Sequence, residues 1–321
     1  MKILVTGASG FVGSALCANL VEQGYAVVGT VRHLPNKTTN GVDYQNVTGL
    51  GEDTNWAMVL AGVKVVVHCA ARVHVMQDTE NDPLEVFRAV NVKGTIRLAD
   101  QAVDAGIKRF VFISSLKVNG EFTDSHPFKA DGVPNPTDPY SVSKWEAEQA
   151  LKNIAKKTGM EVVIIRPPLV YGLGVRANFL RLMQAIKLGL PLPLGAIKNS
   201  RSLVALDNLV ALIVTCLEKN AAANQIFLVS DGEDLSTPEL LRRTARAMRR
   251  PSRLFPVPVP LLMMVTSFLG KAGFAQRLCS SLQADIDKTQ KLLGWTPPVS
   301  VDESLQKTAE YFLSQCSNVQ K

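Results

Sequence analysis

Apolar residues in the first half of the chain fall into short continuous runs, and these alternate with longer stretches of helical periodicity. The continuous runs predict strands that are buried on both faces. They read KILVTGA, YAVVGTV, VKVVVHCAA, KRFVFISS and MEVVIIR. Helical stretches lie between most of these runs. Residues 32–55, which follow YAVVGTV, are instead polar and irregular. This alternation predicts an α/β fold with a doubly wound parallel sheet that helices cover on both faces.

The pattern changes after Arg166. The chain continues with proline-rich loops, a helical stretch ANFLRLMQAIKLG and an apolar run QIFLVS that can return to the sheet. We therefore expect a large domain over residues 1–170, which residues 202–230 rejoin. Residues 171–201 and 231–321 are expected to form a smaller, discontinuous C-terminal domain.

A glycine-rich loop, TGASGFVG, joins the first predicted strand directly to the first predicted helix. Gly7 permits a tight turn, Gly10 lets the backbone approach a pyrophosphate, and Gly13 lets helix and strand pack closely. The N–H groups at the start of the helix then face the anion. Three glycines alone are weak evidence, but the strand before them and the helix after them indicate a dinucleotide-binding Rossmann domain.

The end of the second strand distinguishes NAD from NADP in such domains, because an acidic residue there binds the ribose 2′-hydroxyl. Here the position is held by Val31, followed by Arg32 and His33. A guanidinium can bind a 2′-phosphate instead. We therefore favour NADP(H) and leave NAD(H) open, since Arg32 can also be an ordinary solvated residue.

The stretch YSVSKWEAEQ places Tyr140 and Lys144 one turn apart on the same face of a predicted helix. An ammonium beside a phenol lowers the pKa of the phenol, which suits a general acid–base. Two ordinary surface residues would show the same spacing. However, Ser114 and Ser115 end a predicted parallel strand, where ligands bind in open α/β sheets. Pro139 also fits the first turn of the helix, so these residues together predict a catalytic set.

Composition and charge restrict the kind of protein further. The formal net charge of +7 fits a solvated surface, an anionic ligand or an acidic membrane face. Without an RNA-stacking motif or zinc-finger spacing, we expect no nucleic-acid partner. Five scattered cysteines without paired spacing indicate reduced thiols in a cytoplasmic protein and no metal site.

Two segments bear on membrane association. The N-terminus lacks the long apolar run of a signal peptide. The longest apolar stretch, FPVPVPLLMMVTSFLG at 255–270, is shorter than the ~20 residues that span a bilayer. We interpret it as core or as a lid and leave an interfacial helix open, so membrane contact is at most peripheral.

Across its whole length the chain resembles the extended short-chain dehydrogenases/reductases of the nucleotide-sugar epimerase, reductase and dehydratase type. The resemblance rests on the order and spacing of TGASGFVG, HCAA, NVKGT, FISS, YSVSK, RPPLVYG, SRSLVALDNLV and LGWTP. It implies Ser115, Tyr140 and Lys144 as the catalytic triad. It also implies a homodimer, formed through the helices at 83–105 and 139–157.

The resemblance further implies a cofactor site, in which HCAA lines the cofactor and Asn91 is a structural and proton-relay helper. The residues expected to contact the cofactor are Gly7, Ser9, Gly10, Phe11, Val12, Gly13, Arg32, Cys69, Ala70, Ala71, Asn91, Ser114, Tyr140, Lys144 and Pro167.

For the substrate, the resemblance implies a UDP-sugar. Asn178, Arg201 and Arg277 are expected to approach its diphosphate and nucleoside, although Arg201 can also form an ordinary ion pair. Two departures from the family pattern concern the sugar and adenine sites. At the sugar site, Asn119 replaces a frequent tyrosine, and Lys117 lies close to the expected sugar. At the adenine site, the usual aspartate after the third strand is absent.

Stretches such as HCAARVHVM and SSLKVNGE look most like bacterial enzymes of surface-polysaccharide (lipopolysaccharide) biosynthesis. Some of these are UDP-glucose 4-epimerases, and others reduce UDP-2-acetamido-2,6-dideoxy-hexos-4-ulose to UDP-N-acetylquinovosamine. Because Arg32 favours an exchangeable NADPH, we favour the 4-ketoreductase. The alternative is an NAD-dependent 4-epimerase of UDP-hexose or UDP-N-acetylhexosamine, and the alternative of another class is a non-catalytic NADPH-binding regulator.

Overall fold

The fold is described from a computed structural model, which describes residues 1–35, 38–73, 82–268, 270 and 272–318. The strands within these ranges are β1 Lys2–Thr6, β2 Ala26–Val31, β3 Val42–Asn46, β4 Val65–His68, β5 Arg109–Ile113, β6 Glu161–Arg166, β7 Leu169–Tyr171, β8 Arg201–Ala205, β9 Ile226–Leu228 and β10 Asp234–Leu235.

The helices within the same ranges are α1 Phe11–Glu22, α2 Ala57–Leu60, α3 Pro83–Phe87, α4 Gly94–Asp104, α5 Pro139–Thr158, α6 Ala177–Lys187, α7 Leu206–Glu218, α8 Thr237–Ala247, α9 Val259–Phe268, α10 Ala272–Cys279, α11 Asp287–Leu293 and α12 Val301–Asn318. A π-helical segment, Arg88–Lys93, joins α3 to α4, and 3₁₀ turns cover Leu116–Val118 and Asn220–Ala222.

Seven strands form one sheet in the order β3-β2-β1-β4-β5-β6-β9, and every neighbouring pair is parallel. Leu4 of β1 pairs with Val28 of β2 on one side and with Val66 of β4 on the other. The strand order therefore reverses between β1 and β4. This confirms the predicted doubly wound sheet, and ligands in such sheets bind at the carboxyl ends of the strands near the reversal.

Apolar clusters cover both faces of this sheet. Ile3 and Val5 of β1 pack in a cluster that includes residues of α1 and α7. Leu4, between them, packs in a second cluster with residues of α4 and α5. Consecutive residues of a strand point to opposite faces. Because both faces are buried, the strands read as continuous apolar runs in the sequence.

A smaller sheet of three strands, in the order β10-β8-β7, lies in the C-terminal part. β7 and β8 are parallel, and β10 is antiparallel to β8. Tyr171, Phe179 and Leu241 belong to a third apolar cluster beside it. β9, by contrast, pairs with β6 in the large sheet. The division of the chain into two domains with the boundaries given above stays a prediction.

Some elements lie where the sequence indicated loop. β3 occupies part of the irregular stretch 32–55, and its sequence VDYQN is polar because the strand pairs only with β2 and is half-exposed. β7 lies within the predicted loop RPPLVYGLGV, since a strand of three residues carries too short a pattern to detect. The single helix predicted before β5 is interrupted by the π-helical segment.

The apolar stretch 255–270, which we interpreted as core or as a lid, is more exposed than a core segment. It contains α9, none of whose residues is buried. The interpretation as core is therefore wrong. Among the described residues, no helix combines the length and the apolar character that crossing a bilayer requires.

Candidate active site

The carboxyl ends of four neighbouring strands bring most of the predicted site residues to one edge of the large sheet. β1 leads into the glycine loop, β4 into residues 69–71, β5 into Ser114 and Ser115, and β6 into Pro167. The Leu116 N–H donates to the Pro167 carbonyl at 2.9 Å, which ties the β5 and β6 ends together. The topology thus collects residues that are far apart in sequence.

The glycine loop is tightly packed. Gly7 has φ +69°, and a Cβ there would lie 3.0 Å from the backbone of Ala70, so the loops after β1 and β4 approach closely. The Gly10 N–H donates to the Gly7 carbonyl at 2.8 Å. A Cβ on Gly13 would lie only 2.2 Å from the Gly7 oxygen. The first and third glycines therefore have the conformational and packing roles that the sequence predicted.

α1 begins directly after this loop. The first backbone N–H groups of a helix have no partner within the helix, and the helix dipole places partial positive charge there. The first turn of α1 contains no acidic residue that would compete for these groups. Ser9 is exposed in the loop, and Phe11 and Val12 are half-buried at the start of the helix. The arrangement is suited to an anion such as a pyrophosphate.

A cleft of about 440 Å³ lies at the carboxyl end of β3, beside the end of β2. The Val47 N–H donates to the Val31 carbonyl at 2.9 Å, so the cleft adjoins Arg32, which is exposed. The sequence left the adenine contacts open, and this cleft supplies candidates on a strand that the apolar pattern did not reveal. Its lining residues are Asn46, Val47, Thr48, Gly49, Gly51, Asp53, Thr54 and Asn55.

The helix that carries Tyr140 and Lys144 has a well-defined start. Pro139 is its first residue, as predicted, and Asp138 is its N-cap. The Asp138 carboxylate accepts a hydrogen bond from the Ser141 N–H at 2.8 Å, and the Ser141 hydroxyl accepts one from the Asp138 N–H at 3.1 Å. This reciprocal cap fixes the first turn of α5, in which Tyr140 lies.

The pKa values of Tyr140 and Lys144 differ from what the sequence predicted. Burial, with a contribution from the negative charge of Asp138, raises the pKa of Tyr140 to about 12. Burial also lowers the pKa of Lys144 to about 7, although Glu148 opposes this shift. In the polypeptide by itself, burial and the charge of Asp138 thus move the pKa of Tyr140 opposite to the lowering that the sequence predicted.

Lys144 is buried among aromatic side chains. Its Nζ lies 4.0 Å from the centre of the Phe112 ring, which is a favourable cation–π arrangement. His68 stacks on the same ring with the ring centres 5.8 Å apart, and burial, assisted by the charge of Lys144, lowers the pKa of His68 to about 3. Across the described ranges, no carboxylate lies within salt-bridge distance of Lys144. Its ammonium is therefore available to hydroxyl groups of a ligand.

A buried ion pair supports the ends of β5 and β6. Arg166 donates to both carboxylate oxygens of Glu148, at 2.9 and 2.5 Å, and neither side chain is more than 1% exposed. The Ser114 hydroxyl donates to Glu148 at 2.5 Å, and Arg166 donates to the Asn119 side chain at 3.0 Å. The structure therefore does not support a contact from the Ser114 hydroxyl to a cofactor. Asn119, which departs from the family pattern, belongs to this network.

Ser115 and Lys117 lie in the turn that follows β5, which packs against α5. The Ser115 Oγ accepts a hydrogen bond from the Lys117 N–H at 3.3 Å, so its own proton can be donated to a substrate. The Lys117 ammonium lies 2.5 Å from a carboxylate oxygen of Asp138. Lys117, predicted as a sugar contact, thus pairs with the cap of the helix that carries Tyr140.

Asn91 lies in the π-helical segment and connects it to two other parts of the site. Its side-chain oxygen accepts from the Arg72 N–H at 2.8 Å, and its amide donates to the Arg72 carbonyl and to the Ser143 hydroxyl, both at 3.0 Å. Ser143 lies on α5 between Tyr140 and Lys144. π-Helical turns are frequent at functional sites. The contacts suit a structural role for Asn91, and its role in a proton relay stays a prediction.

Two of the predicted substrate residues lie together. The Arg201 guanidinium donates to the carbonyls of Arg277 and Ser280, at 2.7 and 2.9 Å. Burial lowers the pKa of Arg201. No carboxylate in the described part of the chain pairs with it, so the structure does not support an ordinary ion pair. Asn178 lies exposed in the first turn of α6.

The segment that carries Arg277 is fixed against the segment that follows Ser115. The Thr123 N–H donates to the Ser281 carbonyl at 2.9 Å, and the Phe128 N–H donates to the Gln283 carbonyl at 2.8 Å. An Arg277 nitrogen also lies 4.0 Å from the Glu121 carboxylate. The segment with Arg277 therefore packs against residues 121–128, which follow Ser115 and Lys117 in the chain.

Sequence reasoning missed three supporting residues, namely Asp138, Glu148 and Arg166, and it named His68 only as part of HCAA. An aspartate directly before a proline at a helix start is an N-cap signal, so Asp138 could have been found. The pairing of Glu148 with Arg166 joins a helix to a strand, and His68 bonds to Thr6 at 2.6 Å from a neighbouring strand. Neither contact follows from local sequence.

The fold is that of a dinucleotide-binding Rossmann domain, and the comparisons place the chain in one family of enzymes. The catalytic set of Ser115, Tyr140 and Lys144 stays a prediction. Residues 3–230 match the NAD dependent epimerase/dehydratase family, and the chain belongs to it. This confirms the resemblance to extended short-chain dehydrogenases/reductases.

Individual relatives agree with this assignment. The chain is 48% identical over 315 residues to a UDP-glucose 4-epimerase of Vibrio cholerae, covering 97% of this chain and 95% of that one. It is 26% identical over 327 residues to the N-acetyl-alpha-D-glucosaminyl-diphospho-ditrans,octacis-undecaprenol 4-epimerase of Escherichia coli O157:H7, with 97% and 95% covered. The solved structure of MoeE5 in complex with UDP-glucuronic acid and NAD is similar with a TM-score of 0.80 and 25% identity, covering 98% of this chain and 100% of that one.

Proposed function

We propose that the protein is an NAD-dependent 4-epimerase that interconverts UDP-hexoses or UDP-N-acetylhexosamines. The observation that carries the proposal is the 48% identity to a UDP-glucose 4-epimerase across 97% of the chain. The relatives from Vibrio cholerae and Escherichia coli are both 4-epimerases of a sugar joined to a diphosphate. The 4-ketoreductase that we favoured from the sequence is less well supported than its alternative.

The residues at the sheet edge fit a bound dinucleotide. A Cβ at Gly7 or Gly13 would fill the space between the loop, Ala70 and the start of α1, so the glycines keep a backbone cradle open. The cradle suits the pyrophosphate, and the ammonium of Lys144 suits the hydroxyls of the nicotinamide ribose. Bound NAD would accept a hydride from C4 of the sugar and return it to the opposite face.

Tyr140 is the candidate acid–base for the 4-hydroxyl of the sugar. With its pKa raised to about 12, Tyr140 keeps its proton at neutral pH in the polypeptide alone. To accept the hydroxyl proton it must first lose its own, which positive charge nearby favours. A protonated Lys144, one turn along α5, supplies such charge. Ser115 would donate a hydrogen bond to the same oxygen as charge develops on it.

Arg201 and Arg277 are the candidates for holding the diphosphate of the substrate. The Arg201 guanidinium is half-buried and bonds only carbonyls, so it retains donors and an uncompensated charge for phosphate oxygens. Their proximity to the Ser115 segment would place the sugar near Tyr140. Asn178 and Lys117 stay weaker candidates, since Asn178 is exposed and Lys117 is engaged by Asp138.

The choice between NAD and NADP rests on the end of β2. The family and the MoeE5 complex favour NAD. Arg32 is exposed beside the β3 cleft and would tolerate a 2′-phosphate, which is what made us favour NADP(H). We propose NAD as the working cofactor. Arg32→Asp should strengthen the preference for NAD over NADP in a binding titration, and no change in preference would show that Arg32 does not contact the ribose.

The cytoplasmic location, the homodimer through α3 to α5 and a role in surface-polysaccharide synthesis remain predictions of the sequence. They are compatible with a 4-epimerase and are not required by it.

The experiment that tests the proposal compares two assays on the same protein. An epimerase converts UDP-galactose or UDP-N-acetylgalactosamine without consuming a nicotinamide, which anion-exchange chromatography of the products detects. A 4-ketoreductase oxidises NADPH stoichiometrically with a 4-keto sugar nucleotide. Activity in the second assay alone would replace the epimerase with the reductase, and activity in neither would favour the non-catalytic regulator.

A further inference from the structure

We propose that α9 and the basic chain around it form a docking surface for a bilayer that contains anionic lipids. The first observation is an exposed apolar stripe. Leu261, Met264, Val265 and Phe268 follow the spacing of one helix face and are 45%, 52%, 46% and 85% exposed. We call these four residues the α9 face.

The opposite side of the helix is the one that contacts the protein. Val259 and Leu262 are partly buried against the apolar cluster of the C-terminal part. No residue of α9 is fully buried. The α9 face is therefore apolar surface exposed to water, which is energetically unfavourable.

The second observation is the distribution of charge. Residues 240–284 contain eight basic residues and no acidic residue, so this segment has a formal net charge of +8. The whole chain has a net charge of +7, so the remaining residues sum to −1. The formal excess of positive charge thus lies in the segment that contains α9, although Arg242, Arg243 and Arg277 pair with carboxylates outside it. Arg249, Arg250 and Arg253, between α8 and α9, are exposed.

Apolar side chains and surrounding cations together match an anionic membrane surface. A helix of ten residues is about 15 Å long, too short to span a bilayer but suited to lie in its headgroup region. Each basic residue near such a surface contributes about 1 kcal/mol of attraction, that is, about fivefold in affinity. A second copy of the chain is a poorer occupant, because it would bring another segment of the same positive charge against the first.

The test is co-sedimentation of the full-length protein with vesicles at low salt. We expect binding to vesicles of equal parts phosphatidylglycerol and phosphatidylcholine, and at least tenfold weaker binding to phosphatidylcholine alone. High salt should release the protein. Met264→Gln combined with Phe268→Gln should weaken binding to the anionic vesicles about tenfold, and Arg250→Glu should weaken it at least about fivefold.

Matched controls separate this surface from general effects of polarity and charge. Met58→Gln changes a methionine that is 90% exposed on α2, and Lys157→Glu makes the same charge change on α5. Both should bind the anionic vesicles as the unmodified protein does, and all variants should keep its thermal unfolding midpoint. Equal binding to both vesicle types, or equal losses in the control variants, would overturn the proposal. A loss of self-association in the α9 variants without a change in vesicle binding would instead identify a second copy as the occupant.

Discussion

The Lys117 ammonium and the Asp138 carboxylate lie 2.5 Å apart, and Asp138 caps the helix whose first turn carries Tyr140. The negative charge of Asp138 contributes to the raised pKa of Tyr140. Burial would raise the pKa of Asp138 itself, but hydrogen bonds from Lys117 and Ser141 outweigh burial and lower it. We therefore expect Lys117 to influence the pKa of Tyr140 through Asp138.

Removing the charge of Lys117 should make Tyr140 a weaker acid. In Lys117→Met, Asp138 loses its counter-charge, so the pKa of Tyr140 should rise. The increase of kcat/KM with pH that accompanies deprotonation of Tyr140 should then move to higher pH. Asp138→Asn keeps the helix cap and should move the profile in the opposite direction, each by about one pH unit or less. The measurement is the pH profile of kcat/KM for epimerisation. Lys157→Met, at an exposed lysine of the same helix, should leave the profile in place, and identical profiles for all variants would contradict the coupling.

The ion pair between Glu148 and Arg166 should be essential to stability. Glu148→Gln leaves a buried guanidinium without its counter-charge, and we expect a loss of about 3–5 kcal/mol in the free energy of unfolding, measured by urea titration. Replacing both partners, as in Glu148→Gln with Arg166→Met, should cost less than the sum of the two single changes. Asp287→Asn, which breaks the exposed pair with Lys291, is the control and should change stability little. A Glu148 variant as stable as this control would refute the role of the pair.

Lys144 should make stability depend on pH. Its pKa is lowered to about 7 in the folded chain, from the ordinary lysine value of 10.5 when unfolded. Between these values the unfolded state binds more protons, so stability rises with pH, and the cost of burying the ammonium is fully present below about pH 7. Lys144→Met removes this dependence. From pH 7 to pH 9 the unmodified protein should gain about 2 kcal/mol relative to the variant, and parallel urea titrations that show no relative gain would contradict the shift.

Gly13 should tolerate no side chain. In Gly13→Ala the new Cβ would lie 2.2 Å from the Gly7 oxygen, so the loop and α1 must separate. We expect a destabilisation of about 1–3 kcal/mol together with weakened dinucleotide binding, measured by thermal unfolding and by fluorescence titration. Gly273→Ala adds a methyl group on α10 where nothing lies within 4 Å, and it should match the unmodified protein in both assays. Unchanged dinucleotide binding in Gly13→Ala would mean that the loop is not the pyrophosphate cradle.

The parts of the protein that depend on local pattern could be predicted from the sequence. The glycine loop, the seven-stranded sheet apart from β3, and the start of α5 at Pro139 each follow from residues that are close together in the chain. β3 was missed because an edge strand that is half-exposed has no apolar run to reveal it.

The parts that depend on tertiary packing could not be predicted. Burial, which raises the pKa of Tyr140 and lowers that of Lys144, arises from elements that fold around α5. The pairing of Lys117 with Asp138 joins residues that are 21 positions apart. The exposure of α9 was missed because an apolar helix is usually buried, and only the packed structure shows which of its faces is covered.

The most direct test of the central claim is the interconversion of UDP-glucose and UDP-galactose by the purified protein, followed by proton NMR without added nicotinamide. We predict that either sugar nucleotide is converted to the same equilibrium mixture, and that Tyr140→Phe nearly abolishes conversion while it still binds the dinucleotide. If neither these nucleotides nor their N-acetylhexosamine counterparts are converted, even with NAD added, or if Tyr140→Phe retains full activity, the account is contradicted.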